Sequence, residues 1–291
     1  MKKFSIYGVQ LALVAVMSSV VLEYFYTYVY NHGSIKNKVS WVRNYKNKDT
    51  LDYVLLGSSR VLYFLDPKLI MEKTNKKGIN LGYDACGPFE INLILEEFLK
   101  TNTTKKIFLQ IDYSYDNDRP DQIGEIAWLP YIKEKPIGDS FSDYGIKYVL
   151  FKNVPFFRYQ RYESRLGFRY VLLMLAKGDS EFVLNDGYIP NIEKELHFKY
   201  KTFNRKYSKK VNSKISQIER ICKEKGIALE LFTSPIYKYS YNFDFFKQTY
   251  SNYNDFSNVI NEVSLFSDQT HVNYKGAAVF TDLFIKEYFQ K

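Results

Sequence analysis

The chain has 291 residues, 46% hydrophobic and 25% charged, with a formal net charge of +9, which allows one large or two small domains with a packed core. Only 14 Gly and 8 Pro exclude collagen-like and low-complexity chains, and two cysteines, Cys86 and Cys222, exclude a disulfide scaffold or a multi-cysteine zinc site. Three histidines, His32, His197 and His271, bound any imidazole chemistry, and 27 Tyr and 23 Phe make the chain strongly aromatic.

Lys2 and Lys3 precede an uncharged run, Phe4 to Leu22, rich in Val, Leu, Ala and Ile. Its 19 residues, at about 1.5 Å of rise each, nearly cross a ~30 Å hydrocarbon core. Tyr24, Phe25, Tyr26, Tyr28 and Tyr30 follow, as suits rings at a membrane interface. A cleaved signal peptide is the rival reading, but no small-x-small site separates the run from the bulky rings. The expectation is therefore one transmembrane anchor over 1–30. Its orientation is not set by charge, because Lys36, Lys38, Arg43, Lys46 and Lys48 after the run oppose Lys2 and Lys3.

Residues 31–50 read as a polar, basic stem, and a folded domain follows over 51–291. Tyr53-Val-Leu-Leu56 is a short apolar run ending in Gly57-Ser58-Ser59-Arg60, a buried strand opening into a tight turn. Ile79-Asn-Leu81 ends similarly at Gly82, residues 89–100 have helical spacing, and Lys105 to Asp112 reads as a third strand. Residues 204–225 read as a long basic helix with Ile215, Ile218, Ile221 and Cys222 on one face. Gly226 ends it, a strand covers Ile227 to Thr233, and Gly276 to Tyr288 reads as a closing helix. Alternating strands and helices imply an α/β fold, a three-layer α/β/α sandwich with a mainly parallel, flavodoxin-like sheet. Ligands of such sheets bind beyond the carboxyl ends of the strands, where Gly57-Ser58-Ser59, Gly82 and Asp112 fall. The block at about 113–200 breaks the alternation and reads as an aromatic-rich insertion, suited to stacking on sugar rings or to packing as a small lid.

Near the C-terminus stands Asp268-Gln-Thr-His271, followed by Asn273 and Gly276. A carboxylate three residues before a histidine can hold one imidazole tautomer and leave the other nitrogen to take a serine proton. A serine just after a strand, at a helix start, presents its hydroxyl beside backbone N–H groups that can stabilise an oxyanion. Either half alone also fits a plain turn or a solvated loop.

Together the Gly57-Ser58-Ser59, Asn80-Leu-Gly82 and Asp268-x-x-His271 blocks resemble the SGNH (GDSL-type) hydrolases, especially the membrane-anchored branch serving polysaccharide and cell-wall O-acylation. The resemblance covers roughly 50–112 and 225–288. It implies Ser59 as nucleophile ahead of Ser58, His271 as base, Asp268 as its orienting carboxylate, and the Ser59 and Gly82 amides as oxyanion donors. It further implies a serine esterase or O-acyl(acetyl)transferase with no cofactor or metal. The domain would lie outside a bacterial-type cytoplasmic membrane, on the periplasmic side. Its expected partners are a cell-surface polysaccharide or acylated glycan and a membrane acyltransferase. One departure stands out: Gln110-Ile-Asp112 replaces the family's Gly-x-Asn, and an ionised Asp112 cannot donate to an oxyanion. A catalytically silent, glycan-binding or scaffold member is the alternative.

The remaining features read more plainly. His32 and His197 are expected at solvated or packing positions, and Cys222 on an apolar helix face. Cys86, close to Gly82, is a weak rival nucleophile. Between Glu193 and Lys225, Lys and Arg outnumber Asp and Glu 11 to 4, yet no nucleic-acid docking module accompanies them; a solvated helix or attraction to anionic glycans or headgroups fits better. Phosphate-loop, dinucleotide and zinc-protease spacings are absent from the sequence.

Overall fold

The computed structural model describes residues 2–176, 178–192 and 202–290. His197 lies outside the described residues. In chain order, α1 (Lys2–His32) and α2 (Lys38–Asn44) precede β1 (Tyr53–Leu56), α3 (Ser59–Leu62), α4 (Pro67–Thr74), β2 (Gly78–Asn80), α5 (Pro88–Phe98) and β3 (Lys106–Gln110). A helical stretch follows: α6 (Lys135–Ser142), α7 (Ile146–Asn153), α8 (Phe157–Arg161), α9 (Glu163–Leu166), α10 (Phe168–Leu175) and α11 (Glu181–Leu184). The chain then forms α12 (Ser213–Lys225), β4 (Ala228–Thr233), α13 (Asp244–Thr249), β5 (Tyr253–Asp255) and α14 (Tyr274–Tyr288). These elements form two compact units, one of residues 1–40 with 125–180, the other of 41–124 with 181–291.

The second unit is α/β. Its five strands are all parallel in the order β2-β1-β3-β4-β5, the flavodoxin-like order whose switch point lies between β1 and β3. β1 is buried at every position, as expected of a strand covered on both faces, which is why it reads as an unbroken apolar run. Alternate side chains point to opposite faces. Tyr53, Leu55, Phe108 and Phe232 project into one core with Val61, Phe64, Phe280 and Phe284, where α4 and α14 pack together. On the other side α5 and α12 pack against one another and α12 against β4.

Three expectations change. The fifth strand, Tyr253-Asn-Asp255, is too short and polar to show as an apolar run. The helix expected over 204–225 begins only at Ser213, because the Asn212 side chain accepts from the N–H groups of Lys214 and Ile215 and so starts the helix there; upstream, Phe203 bridges Tyr239. The basic stem is partly folded: Trp41 and Val42 are buried, and Arg43 pairs with Glu97 at 3.0 Å.

The other unit joins α1 to the helical insertion. The side chains of α1 are exposed along Phe4–Ser18, and the helix is long and apolar enough to span a membrane. Beyond Leu22 one face becomes buried. Glu23 is 4% exposed and is held by Arg158 Nη1 and Lys133 Nζ, each at 2.6 Å, and by the Phe156 N–H at 3.0 Å. The Tyr26 ring stands edge-on to Phe156, and Thr27 shares a 2.8 Å hydrogen bond with the Tyr159 hydroxyl. The aromatic excess of the insertion is thus largely core of its own unit: Trp128, Phe141, Tyr148, Phe151 and Tyr159 are all buried.

Candidate active site

β1 delivers the chain through Gly57 into α3. Ser58 is the N-cap of α3, its Oγ accepting from the Arg60 N–H at 3.3 Å, while its hydroxyl and its own N–H both donate to Gln110 Oε1 at 3.0 and 3.1 Å. Ser58 is therefore spent on the turn. Ser59 is the first helical residue, where an amide has no acceptor within the helix. Its hydroxyl lies 2.8 Å from His271 Nε2.

His271 comes from the loop before α14. The backbone of that loop closes on itself: Ser267 N–H donates to the His271 carbonyl at 2.9 Å, and Phe266 bridges Val272. Asp268 Oδ1 accepts from the N–H groups of Thr270 and His271 at 2.6 and 2.9 Å, which frees Oδ2 to meet His271 Nδ1 at 2.8 Å. Burial alone would raise the Asp268 carboxyl, but the hydrogen bond and charge of His271, with the Thr270 donors, bring it down to about 2. An ionised Asp268 accepts from Nδ1–H, so Nε2 carries the lone pair that faces Ser59. Asn273 caps α14 by accepting from the Lys275 and Gly276 N–H groups, each at 3.1 Å. Gly276 is required because a Cβ there would stand 2.2 Å from the Leu265 carbonyl oxygen. Both residues fix the loop that carries His271. The Tyr63 and Phe64 rings stand edge-on to the imidazole.

Asp112 does not face the serine as a free carboxylate. It is buried and accepts from Arg60 Nη1, from Gln110 Nε2 at 2.7 Å and from the Ser114 N–H at 2.7 Å. Arg60 Nη2 donates onward to the carbonyls of Ser234 and Pro235. A buried polar network thus ties together the carboxyl ends of β1, β3 and β4 beneath the nucleophile turn. Gln110 and Arg60 were not singled out in the sequence. The signal available was modest: Gln110 ends β3 and Asp112 follows two residues on, a spacing that in extended chain points both the same way, and Arg60 directly follows Ser59.

The Gly82 N–H donates to Asn80 Oδ1 at 2.9 Å, so the amide expected to face an oxyanion is committed within its own turn. Asn80 Nδ2 in turn holds the Val61 and Leu65 carbonyls at 2.7 and 2.9 Å. Gly82 is needed here for close approach, since a Cβ would lie 2.6 Å from Leu62 N and 2.9 Å from the Ser58 carbonyl oxygen. Cys86 is buried, with its Sγ near the Gly57 and Tyr83 carbonyls, and burial pushes its thiol well up; it is a packing residue. His32 sits at the end of α1 against Tyr28. Among the described residues no three His, Cys, Asp or Glu side chains converge as a metal ion would require.

No known family's sequence profile matches the chain, and no curated protein matches it. Among solved structures, "a putative platelet activating factor from Streptococcus pneumonia" aligns over 97% of this chain and 98% of its own, with a TM-score of 0.39 and 11% identity. That likeness is too weak to define a fold or a function.

Proposed function

We propose that the protein is a membrane-anchored serine esterase or O-acyl(acetyl)transferase whose reacting groups are Ser59, His271 and Asp268. The observation that carries the reading is the continuous relay from Ser59 Oγ through His271 to Asp268, with both links at 2.8 Å. Ser59 Oγ attacks an ester carbonyl as His271 Nε2 takes its proton. Asp268 holds the Nδ1–H tautomer and stabilises the imidazolium. The Ser59 N–H, at the start of α3, stabilises the oxyanion. Collapse of the tetrahedral species expels the alcohol, protonated by His271, and leaves an acyl-Ser59 ester. Water or a sugar hydroxyl then takes the acyl group by the reverse sequence. The resemblance to anchored SGNH proteins, together with α1, supports a cell-surface polysaccharide as substrate, an extracytoplasmic domain and a membrane acyltransferase as partner.

The test is covalent labelling of the full chain in micelles with a fluorophosphonate probe. Labelling is expected to disappear in Ser59→Ala and to persist in Ser58→Ala; persistence in Ser59→Ala refutes the assignment.

A second reading, a catalytically silent glycan-binding or scaffold protein, is favoured by one observation. The Gly82 amide joins the oxyanion site only by releasing Asn80, and Asp112 stands where the resembled family has an amide. That reading predicts no labelling and no aryl acetate hydrolysis, with retained binding to surface polysaccharide.

A further inference from the structure

We infer that the helical insertion is itself a membrane-contacting element, with the exposed apolar faces of α7 and α10 lying in the headgroup layer of the bilayer that α1 crosses. This inference rests on reading α1 as a membrane anchor.

Depth is the first argument. The uncharged run Phe4–Leu22 matches the ~30 Å hydrocarbon core, and the ten residues after it rise about 15 Å more, through the headgroup layer and just beyond. The insertion packs against that last stretch: Phe156 donates to Glu23, the Tyr131 hydroxyl donates to the Tyr30 carbonyl, and α10 packs along α1. Helices fastened to those positions lie at headgroup depth.

Their outward faces fit that environment. On α10, Val171 and Met174 turn inward, while Phe168, Leu172 and Leu175 are exposed, Phe168 at 60%. On α7, Tyr148 and Phe151 are buried, while Ile146, Val149 and Leu150 are exposed, Ile146 at 71%. Two helices of eight residues each thus present large apolar side chains outward, which water does not favour and an interfacial helix requires. The charges agree. Arg161, Arg165 and Arg169 are exposed on α8 to α10 and make no ion pair among the described residues, as suits side chains that meet lipid phosphates. A bilayer supplies apolar chains and phosphates at the same depth, beside a helix already inserted in it.

The test uses the full chain in vesicles, with single cysteines at Val14, Leu150 and Leu172 carrying an environment-sensitive fluorophore. The native Cys86 and Cys222 are buried, and unsubstituted protein gives the background. Lipids bearing nitroxides at headgroup or mid-chain depth then act as quenchers. The Leu150 and Leu172 labels are expected to lose about half or more of their emission to the shallow nitroxide, and the Val14 label to the deep one. Quenching at Val14 without quenching at Leu150 and Leu172 overturns the inference and leaves the anchor standing. No quenching even at Val14 removes the anchor reading and the inference with it. Blue-shifted labels at Leu150 and Leu172 that no lipid nitroxide quenches indicate a protein partner or a second copy on this face, which also overturns the inference.

Discussion

Asp112→Asn would place a side-chain amide where the resembled family carries one, and the structure indicates that this change damages the protein rather than improving the site. Asp112 and Arg60 are each 2% exposed. Arg60 Nη1 and Gln110 Nε2 converge on Asp112 Oδ2, and the Ser114 N–H points at Oδ1. An asparagine retains one acceptor oxygen, so at least one donor faces its NH2 group, and the guanidinium loses its counter-charge in a site where Arg60 Nε already lacks a partner among the described residues. Breaking a buried pair from one side costs about 3–5 kcal/mol, whereas removing both partners together costs much less. In a urea titration of the full chain in micelles, with a slope near 2–3 kcal/mol/M, Asp112→Asn should lower the midpoint by about 1–2.5 M. The added change Arg60→Met should recover part of that loss. Probe labelling of Ser59 should slow, because Arg60 braces the turn that carries it. A variant within about 0.5 kcal/mol of the parent, or one that labels faster, would refute this account and put Asp112 at the oxyanion site.

Two further outcomes follow from the same unit. Gly82→Ala should destabilise by about 1–3 kcal/mol through overpacking, because its Cβ meets the backbone of α3 at 2.6–2.9 Å; an unchanged melting temperature would contradict the packing described. Glu90, fully buried at the start of α5, accepts from the Gly87 and Asp121 N–H groups, and burial outweighs those bonds to push its carboxyl up to about 8. The folded state then keeps a proton that the unfolded chain releases above about pH 4.5, so stability should fall as pH rises from about 5 to 8. Glu90→Gln should flatten that slope, as read from unfolding midpoints at pH 5, 6.5 and 8; equal slopes in both proteins would disprove it.

The legible parts of this fold are those whose signal is local. β1 and β3 stand out because strands buried on both faces are nearly continuous apolar runs, and β4 through the buried half that closes it, Leu231 to Thr233. Gly57-Ser58-Ser59 and Asp268-x-x-His271 are visible because each is a compact motif. That the two motifs meet at 2.8 Å is a consequence of parallel topology, and no residue near either one announces it. Arg60 illustrates the limit: its partners Asp112 and Ser234 lie 52 and 174 residues away, so it reads as an ordinary surface arginine. The insertion shows the same limit from the other side. Its aromatic density suggested stacking on sugars or a lid, whereas most of those rings pack within a unit completed by α1, a pairing that only three dimensions reveal.

The pairing of Glu23 with the insertion also sets an order of events during biosynthesis. Phe156, whose amide binds Glu23, lies 133 residues further along the chain. At about 5–20 residues per second of synthesis, that segment emerges roughly 7–27 s after Glu23. For most of that interval Glu23 lacks its two cationic partners, Lys133 emerging first and Arg158 only after Phe156. Helix α1 is therefore made in a provisional state, and its last third reaches its final environment only after half of the chain has followed it.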